Sequence, residues 1–280
     1  MNDAKTEINF KAITRNIKSI RAKTPCILLC AVVKPEIAKV IHPHVDFFAT
    51  MRIQEAVQLR SVVTKPILLL APCEDFQTAI AHDITLSVGS MHEMHAIAKA
   101  SAHGKINVHI EVNTGLNRFG INTLWQLRTI FGIASRHDIQ ITGLYTQISS
   151  SKQTELQLRR FAPFRAMIKR FHPRAIIHAD TAHFDMVRVG RALLENSTTI
   201  RAKVIAVQNI KTSDNVGYNE TFTATKPMVV GIVNCGYSQG EILIGKTKCQ
   251  MLSHCENTIF IDVTDIKNPL GKSVTIFKNL

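Results

Sequence analysis

The run CILLCAVVK, residues 26–34, ends an apolar stretch on a single amine, Lys34. In such a place apolar neighbours and nearby cations favour a neutral amine, and a neutral lysine can attack an aldehyde cofactor to form a Schiff base. A lysine that closes a strand also serves a plainer purpose, laying its stem on apolar surface while its charge reaches water. Taken alone, Lys34 leaves both readings open.

The segments around Lys34 show what must position it. From residue 10 to about 195 a short apolar β-rich run alternates with a segment of helical period, the signature of parallel strands covered by helices. The candidate strands are 27–34, 46–50, 66–71, 84–88, 107–113, 140–146, 174–179 and 186–190. Helical stretches between or before them include 10–21, 53–63, 91–102, 125–135 and 153–171. Eight such units predict a (β/α)8 barrel, an α/β fold of the TIM type, with Lys34 at the face where catalytic groups gather. After about residue 196 the helices stop. Runs at 200–211, 228–234, 247–254, 258–263 and 273–277 predict a small all-β C-terminal domain. The expected division is a barrel over 10–195 and a β-rich domain built from 1–9 plus 196–280.

Composition sets the class. With 45% hydrophobic and 20% charged residues in 280, the chain can bury a sizeable core and is neither disordered nor membrane-spanning. The start, MNDAKTEINF, has no apolar region of a signal peptide, and the six cysteines are scattered without CxxC spacing. These features lead us to expect a cytoplasmic protein with reduced thiols and no metal. The net charge of +13 raises the question of an anionic partner. Its densest cluster, Arg159 to Arg170, alternates with Leu158, Phe161, Phe164, Met167 and Ile168, as the solvated face of a helix does.

Segments AVVK, ATMRIQEAVQLR, PILLLA, HIEVNTGLNRFG, GLYTQIS, DMVRVGRALL, GYNET and NCGYSQG follow one another in this order. Read together, over nearly the whole chain, they resemble the alanine racemase family. The resemblance implies a pyridoxal 5'-phosphate (PLP) enzyme that interconverts L- and D-alanine, usually as a head-to-tail homodimer. It makes Lys34 the Schiff-base lysine and Tyr218 the second acid/base, because moving an α-proton between two faces of a carbon takes two groups of opposite protonation. Arg188 would face the pyridine nitrogen, and Arg118 the cofactor's phenolic oxygen and the substrate carboxylate. Glu111 stands where the family often carries a carbamylated lysine, and its carboxylate would brace Arg118, seven residues on. The resemblance would also place Tyr237 and Asn257 on the substrate side. The residues alone leave plainer roles open: a packed β-domain tyrosine for Tyr218, surface ion pairs for Arg118 and Glu111.

The departures concentrate on phosphate binding. After VVK the family continues with a segment like ANAYGHG, whose tyrosine touches phosphate; here Pro35-Glu36-Ile37-Ala38 follows. A second phosphate-binding tyrosine is expected beyond GKSVTIF, where this sequence ends at Leu280. Thr181, the backbone at Gly190 and Arg191 would then hold the phosphate. Gln147 replaces the histidine of GxxTH, His178 stands one residue closer to Thr181 than the family's spacing, and Glu256-Asn257 replaces a Met-Asp pair. Two readings follow: an amino-acid racemase, or a catalytically weak or inactive relative that serves as a PLP carrier or dimerisation module. A decarboxylase of related fold is disfavoured by Arg188, and nucleic-acid binding by the scattered charge.

Overall fold

A computed structural model describes residues 4–24, 27–236 and 240–277. The chain divides into two compact units, Ile17–Leu193 and Met1–Asn16 with Leu194–Leu280. Strand β1 (Lys5–Ile8) and helix α1 (Phe10–Lys23) come first, followed by eight strands that alternate with helices. They are β2 (Leu28–Val32), α2 (Pro35–Ile41), β3 (Phe47–Thr50), α3 (Ile53–Arg60), β4 (Ile67–Leu69), α4 (Phe76–Ala81), β5 (Ile84–Val88) and α5 (Met91–Ala100). The series continues with β6 (Ile106–Val112), α6 (Leu124–Ala134), β7 (Ile139–Thr146), α7 (Thr154–Phe171), β8 (Ile176–Ala179) and β9 (Met186–Val189). Each strand pairs in parallel with the next, and β9 pairs with β2 to close the barrel.

All eight strands read from the sequence are present, because each is an apolar run bounded by turn residues and long enough to cross a barrel wall. Helix α6 starts at a capping box in which the Thr123 hydroxyl accepts from the Gln126 N–H and the Gln126 side chain accepts from the Thr123 N–H. Helix α7 buries Gln157, Phe161, Phe164 and Ile168. Its basic residues meet local partners: Arg159 pairs with Glu155, Lys169 with Asp185, and Arg165 lies 4.4 Å from the Phe184 ring centroid.

The short helix α8 (Arg191–Leu194) precedes the β unit. There β10 (Thr198–Ile210), β11 (Asn215–Val216), β12 (Phe222–Thr223), β13 (Met228–Asn234) and β14 (Glu241–Ile244) follow in order. The last strands are β15 (Thr247–Cys249), β16 (Met251–Cys255), β17 (Thr258–Asp262) and β18 (Ser273–Phe277). The main sheet is antiparallel in the order β15-β14-β18-β10-β13-β17-β16, with β1 on β10. The single strand expected over 247–254 is two, broken at Gln250. Val204, Val233, Ile261, Val274 and Ile276 fill the core of this unit.

Candidate active site

The barrel brings four of the expected residues to the C-terminal ends of three adjacent strands. Lys34 follows β2, is exposed, and caps α2 in extended backbone (φ −75°, ψ 158°). Its carbonyl accepts from the N–H groups of Ile37 and Ala38 at 3.1 and 3.0 Å. Pro35 takes the first helical position, where its missing N–H costs nothing and its fixed φ suits the turn. Register Cys30↔Arg188 and Ala31↔Val189 sets β9 beside β2. A Cβ built on Gly190 would lie 3.4 Å from the Val32 carbonyl oxygen, so Gly190 runs alongside the strand end that carries Lys34. Arg191 is exposed at the start of α8, and Thr181 is exposed in the loop after β8, itself paired with β9.

Beneath this mouth the barrel is polar. Arg188 is 4% exposed, and its guanidinium lies 4.6 Å from the Tyr145 ring centroid. Its Nη1 donates to His178 Nδ1 at 2.6 Å, and its Nη2 donates to the Thr146 carbonyl at 3.1 Å and to Gln147 Oε1 at 2.9 Å. Gln147 Nε2 in turn donates to Asp180 Oδ2 at 2.7 Å, while Asp180 Oδ1 accepts from the Ile148 N–H. Gln147 thus links the buried cation to a carboxylate. A guanidinium can only donate, so His178 Nδ1 must accept, and its proton sits on Nε2. That Nε2 lies 2.7 Å from His109 Nδ1, which must accept in its turn. Burial first, and the Arg188 charge second, pull both imidazoles down, His109 to about 3. Gly143 makes room for the arrangement: a Cβ there would stand 2.6 Å from the His109 ring.

Glu111 is 2% exposed at the end of β6. Its Oε2 lies 2.9 Å from Tyr145 Oη, which is also 2.9 Å from Ser87 Oγ; Ser87 Oγ donates to the Leu69 carbonyl at 2.7 Å. Burial raises the Glu111 carboxyl above its ordinary range, against the pull of Tyr145, Arg118 and Arg188. Arg118 is exposed, with its guanidinium 5.2 Å from the Phe119 ring centroid. Among the described residues no ion pair joins Glu111 to Arg118, so the direct partner of Glu111 is Tyr145 rather than the expected arginine.

In the β unit Tyr218 is 66% exposed at the tip between β11 and β12. Three of the four residues Gly217–Glu220 have positive φ: Gly217 at 81°, Asn219 at 55° and Glu220 at 53°. A Cβ on Gly217 would collide with Ser253 Oγ at 1.9 Å. Such conformations cost energy and persist where surrounding structure enforces them, here holding a tyrosine out from the sheet. Asn257 is exposed in the β16–β17 turn, and its carbonyl accepts from the N–H groups of Cys235 and Gly236 at 2.8 Å. Tyr237 lies outside the described residues. His109, Tyr145, Ser87 and Asp180 were not singled out by sequence reasoning, although they form the interior network.

The family model for the alanine racemase N-terminal domain matches residues 8–197, and that for the alanine racemase C-terminal domain matches residues 197–280. An alanine racemase of Streptococcus equi subsp. zooepidemicus is 23% identical, over 96% of this chain and 87% of its own length. Alanine racemase 2 of Clostridium acetobutylicum is 27% identical, over 94% of this chain and 79% of its own. The solved alanine racemase of Streptomyces lavendulae shares the fold with a TM-score of 0.84 at 20% identity, covering 99% of this chain and 87% of that one. Together the two matched domains span the barrel and the antiparallel sheet, and the chain belongs to the alanine racemase family.

Proposed function

We propose that this chain is a PLP-dependent amino-acid racemase, an isomerase of L- and D-alanine that acts in the cytoplasm as a head-to-tail homodimer. The observation that carries this reading is Lys34 just after β2 and Arg188 on the paired strand β9, one amine at the barrel mouth and one buried guanidinium below it. The residues fit the cofactor. Arg188 uses three N–H donors of its five on described partners, which leaves donors for a ring nitrogen. A hydroxyl at Thr181, N–H groups at Gly190 and Arg191 and the Arg191 guanidinium supply the donor chemistry a phosphate needs, at the strand ends where barrels commonly bind one. When bound, PLP supplies the electron sink that makes an amino acid's α-hydrogen acidic.

Lys34 would anchor the cofactor and carry a proton on one side of the substrate, with Tyr218 of the second subunit serving the other side. Arg188 would donate hydrogen bonds without giving up a proton, because a guanidinium is a permanent cation. Its bonds to His178, Thr146 and Gln147 hold it in one orientation for the ring. Arg118 would take the substrate carboxylate, and Tyr237 and Asn257 would serve the substrate side. The test is a visible absorption spectrum of the purified protein with added PLP, beside a chiral assay of alanine. A new band in wild type that is missing in Lys34→Ala, together with racemisation, is expected. A band without turnover would favour the carrier or dimerisation role, and a band that survives in Lys34→Ala would remove Lys34 from the site.

A further inference from the structure

We propose that Glu111 is a neutral carboxylic acid in the folded protein at neutral pH and acts as a positioning residue that leaves Arg118 without a counter-anion. The argument is a count of hydrogens. Three oxygen–oxygen contacts run in series from the Leu69 carbonyl to Ser87 Oγ, to Tyr145 Oη and to Glu111 Oε2, at 2.7, 2.9 and 2.9 Å. Each contact of this length needs one hydrogen between its oxygens. The carbonyl has none to give, Ser87 has one, and Tyr145 has one. An ionised Glu111 brings no third, and one contact would then be a bare clash of lone pairs inside the barrel. A protonated Glu111 completes the series: Glu111 donates to Tyr145, Tyr145 to Ser87, and Ser87 to Leu69.

The surroundings agree with this count. Glu111 is buried on β6 and Tyr145 on β7, with Ser87 on β5. The charged groups that face the carboxyl are Arg118 and Arg188, which favour ionisation, and Glu93, which opposes it. Burial is the largest influence and favours the neutral form. Arg188 has another route to negative charge, through Gln147 to Asp180. Burial away from water can keep a carboxylic acid neutral at pH 7 so that it donates a hydrogen bond. Resting on the racemase reading, the functional consequence is that Arg118 presents its full charge to a substrate carboxylate, whereas ionisation of Glu111 at higher pH would offset that charge.

The experiment labels glutamate at Cδ with carbon-13 in the protein without cofactor and follows the Glu111 resonance, identified by its loss in Glu111→Gln, across pH. An infrared carbonyl band of an un-ionised carboxyl, absent in Glu111→Gln, provides a second readout. We expect the Glu111 signal in the position of a protonated acid at neutral pH and titrating only at higher pH. In the racemisation assay the KM of the wild type should rise with pH relative to Glu111→Gln, whose amide cannot ionise. An ionised Glu111 at neutral pH in either spectrum overturns the proposal whether or not the chain racemises alanine. A protonated Glu111 with no KM difference overturns the role given to Arg118 and leaves the protonation state standing.

Discussion

Acid should unfold the barrel unit through the pair His109 and His178. Both rings are buried and neutral, and both accept at Nδ1, so neither can take a second proton without breaking the series that starts at Arg188. Their folded values lie below the ordinary histidine range, His109 at about 3 against 6.5. A depressed folded value means stability that is present above about pH 6.5 and is lost as pH falls toward the folded value. At pH 5 the unfolded chain holds the proton and the folded chain does not, at about 1.4 kcal/mol per unit over 1.5 units. That is about 2 kcal/mol for His109, a large part of the roughly 5–15 kcal/mol typical of a domain, and His178, also held down by burial and by Arg188, adds to it in the same direction. The discriminating variant is His178→Gln, whose side chain can accept from Arg188 with its oxygen and donate to His109 with its nitrogen, yet cannot be protonated. Urea unfolding at pH 7.5 and pH 5, read from helical circular dichroism, reports mainly on the barrel unit because α2 to α7 lie within it. Wild type should lose more stability than His178→Gln between the two pH values, since exposed carboxylates contribute equally to both. Parallel loss in the two proteins would show that these histidines do not govern acid sensitivity.

Two further outcomes test the proposed cofactor grip and assembly. Arg191→Ala should weaken PLP binding roughly tenfold or more, as expected for one charge-assisted hydrogen bond of about 1.5–3 kcal/mol, and unchanged affinity in a titration of the visible band would take Arg191 out of the site. Lys34→Ala and Tyr218→Phe should each be inactive as homodimers, yet equal co-refolding should restore roughly a quarter of wild-type activity, because half the dimers are mixed and each has one intact site. Continued inactivity despite proven heterodimers would rule out a site shared between subunits.

The sequence disclosed the strands well and the helices unevenly, for reasons visible at particular residues. Strand β2 was legible because CILLCAVV is apolar on both faces, as a barrel strand buried on both sides can be. Helix α2 is not among the helical stretches named from the sequence; it opens on Pro35, a residue that ends most helices but suits the first helical position. Helix α4 spans Phe76–Ala81, too short to show a period, and it announces itself only through Asp75, whose side chain accepts from the Thr78 N–H. The candidate residues Lys34, Arg188 and Glu111 were legible at or near strand ends because they sit in recognisable runs. Partners were not legible, because the distance from Glu111 to Arg118 in sequence says nothing of which base its carboxyl meets in space.

One signal for the hidden network was nevertheless present in β6. Ile106–Val112 reads INVHIEV, with Asn107, His109 and Glu111 alternating against Val108, Ile110 and Val112. In an isolated sheet this pattern means one wet face and one dry face. In a parallel barrel the outer face is covered by helices and takes the apolar set, so the polar set must point into the interior. Of these, His109 and Glu111 are buried in the barrel core and need partners there, since an unpaired buried polar group costs more than a hydrogen bond returns, whereas Asn107 is half-buried at the start of the strand and its Oδ1 has no hydrogen-bond partner among the described residues. Candidates on neighbouring strands are the inward polar residues of the same levels: Ser87 on β5, Tyr145 on β7, and, one strand further, His178 on β8. The register Glu111↔Tyr145 and Tyr145↔His178 sets these groups level with one another. The alternation in one strand therefore required a polar layer across four, and the layer is what holds Arg188 beneath Lys34.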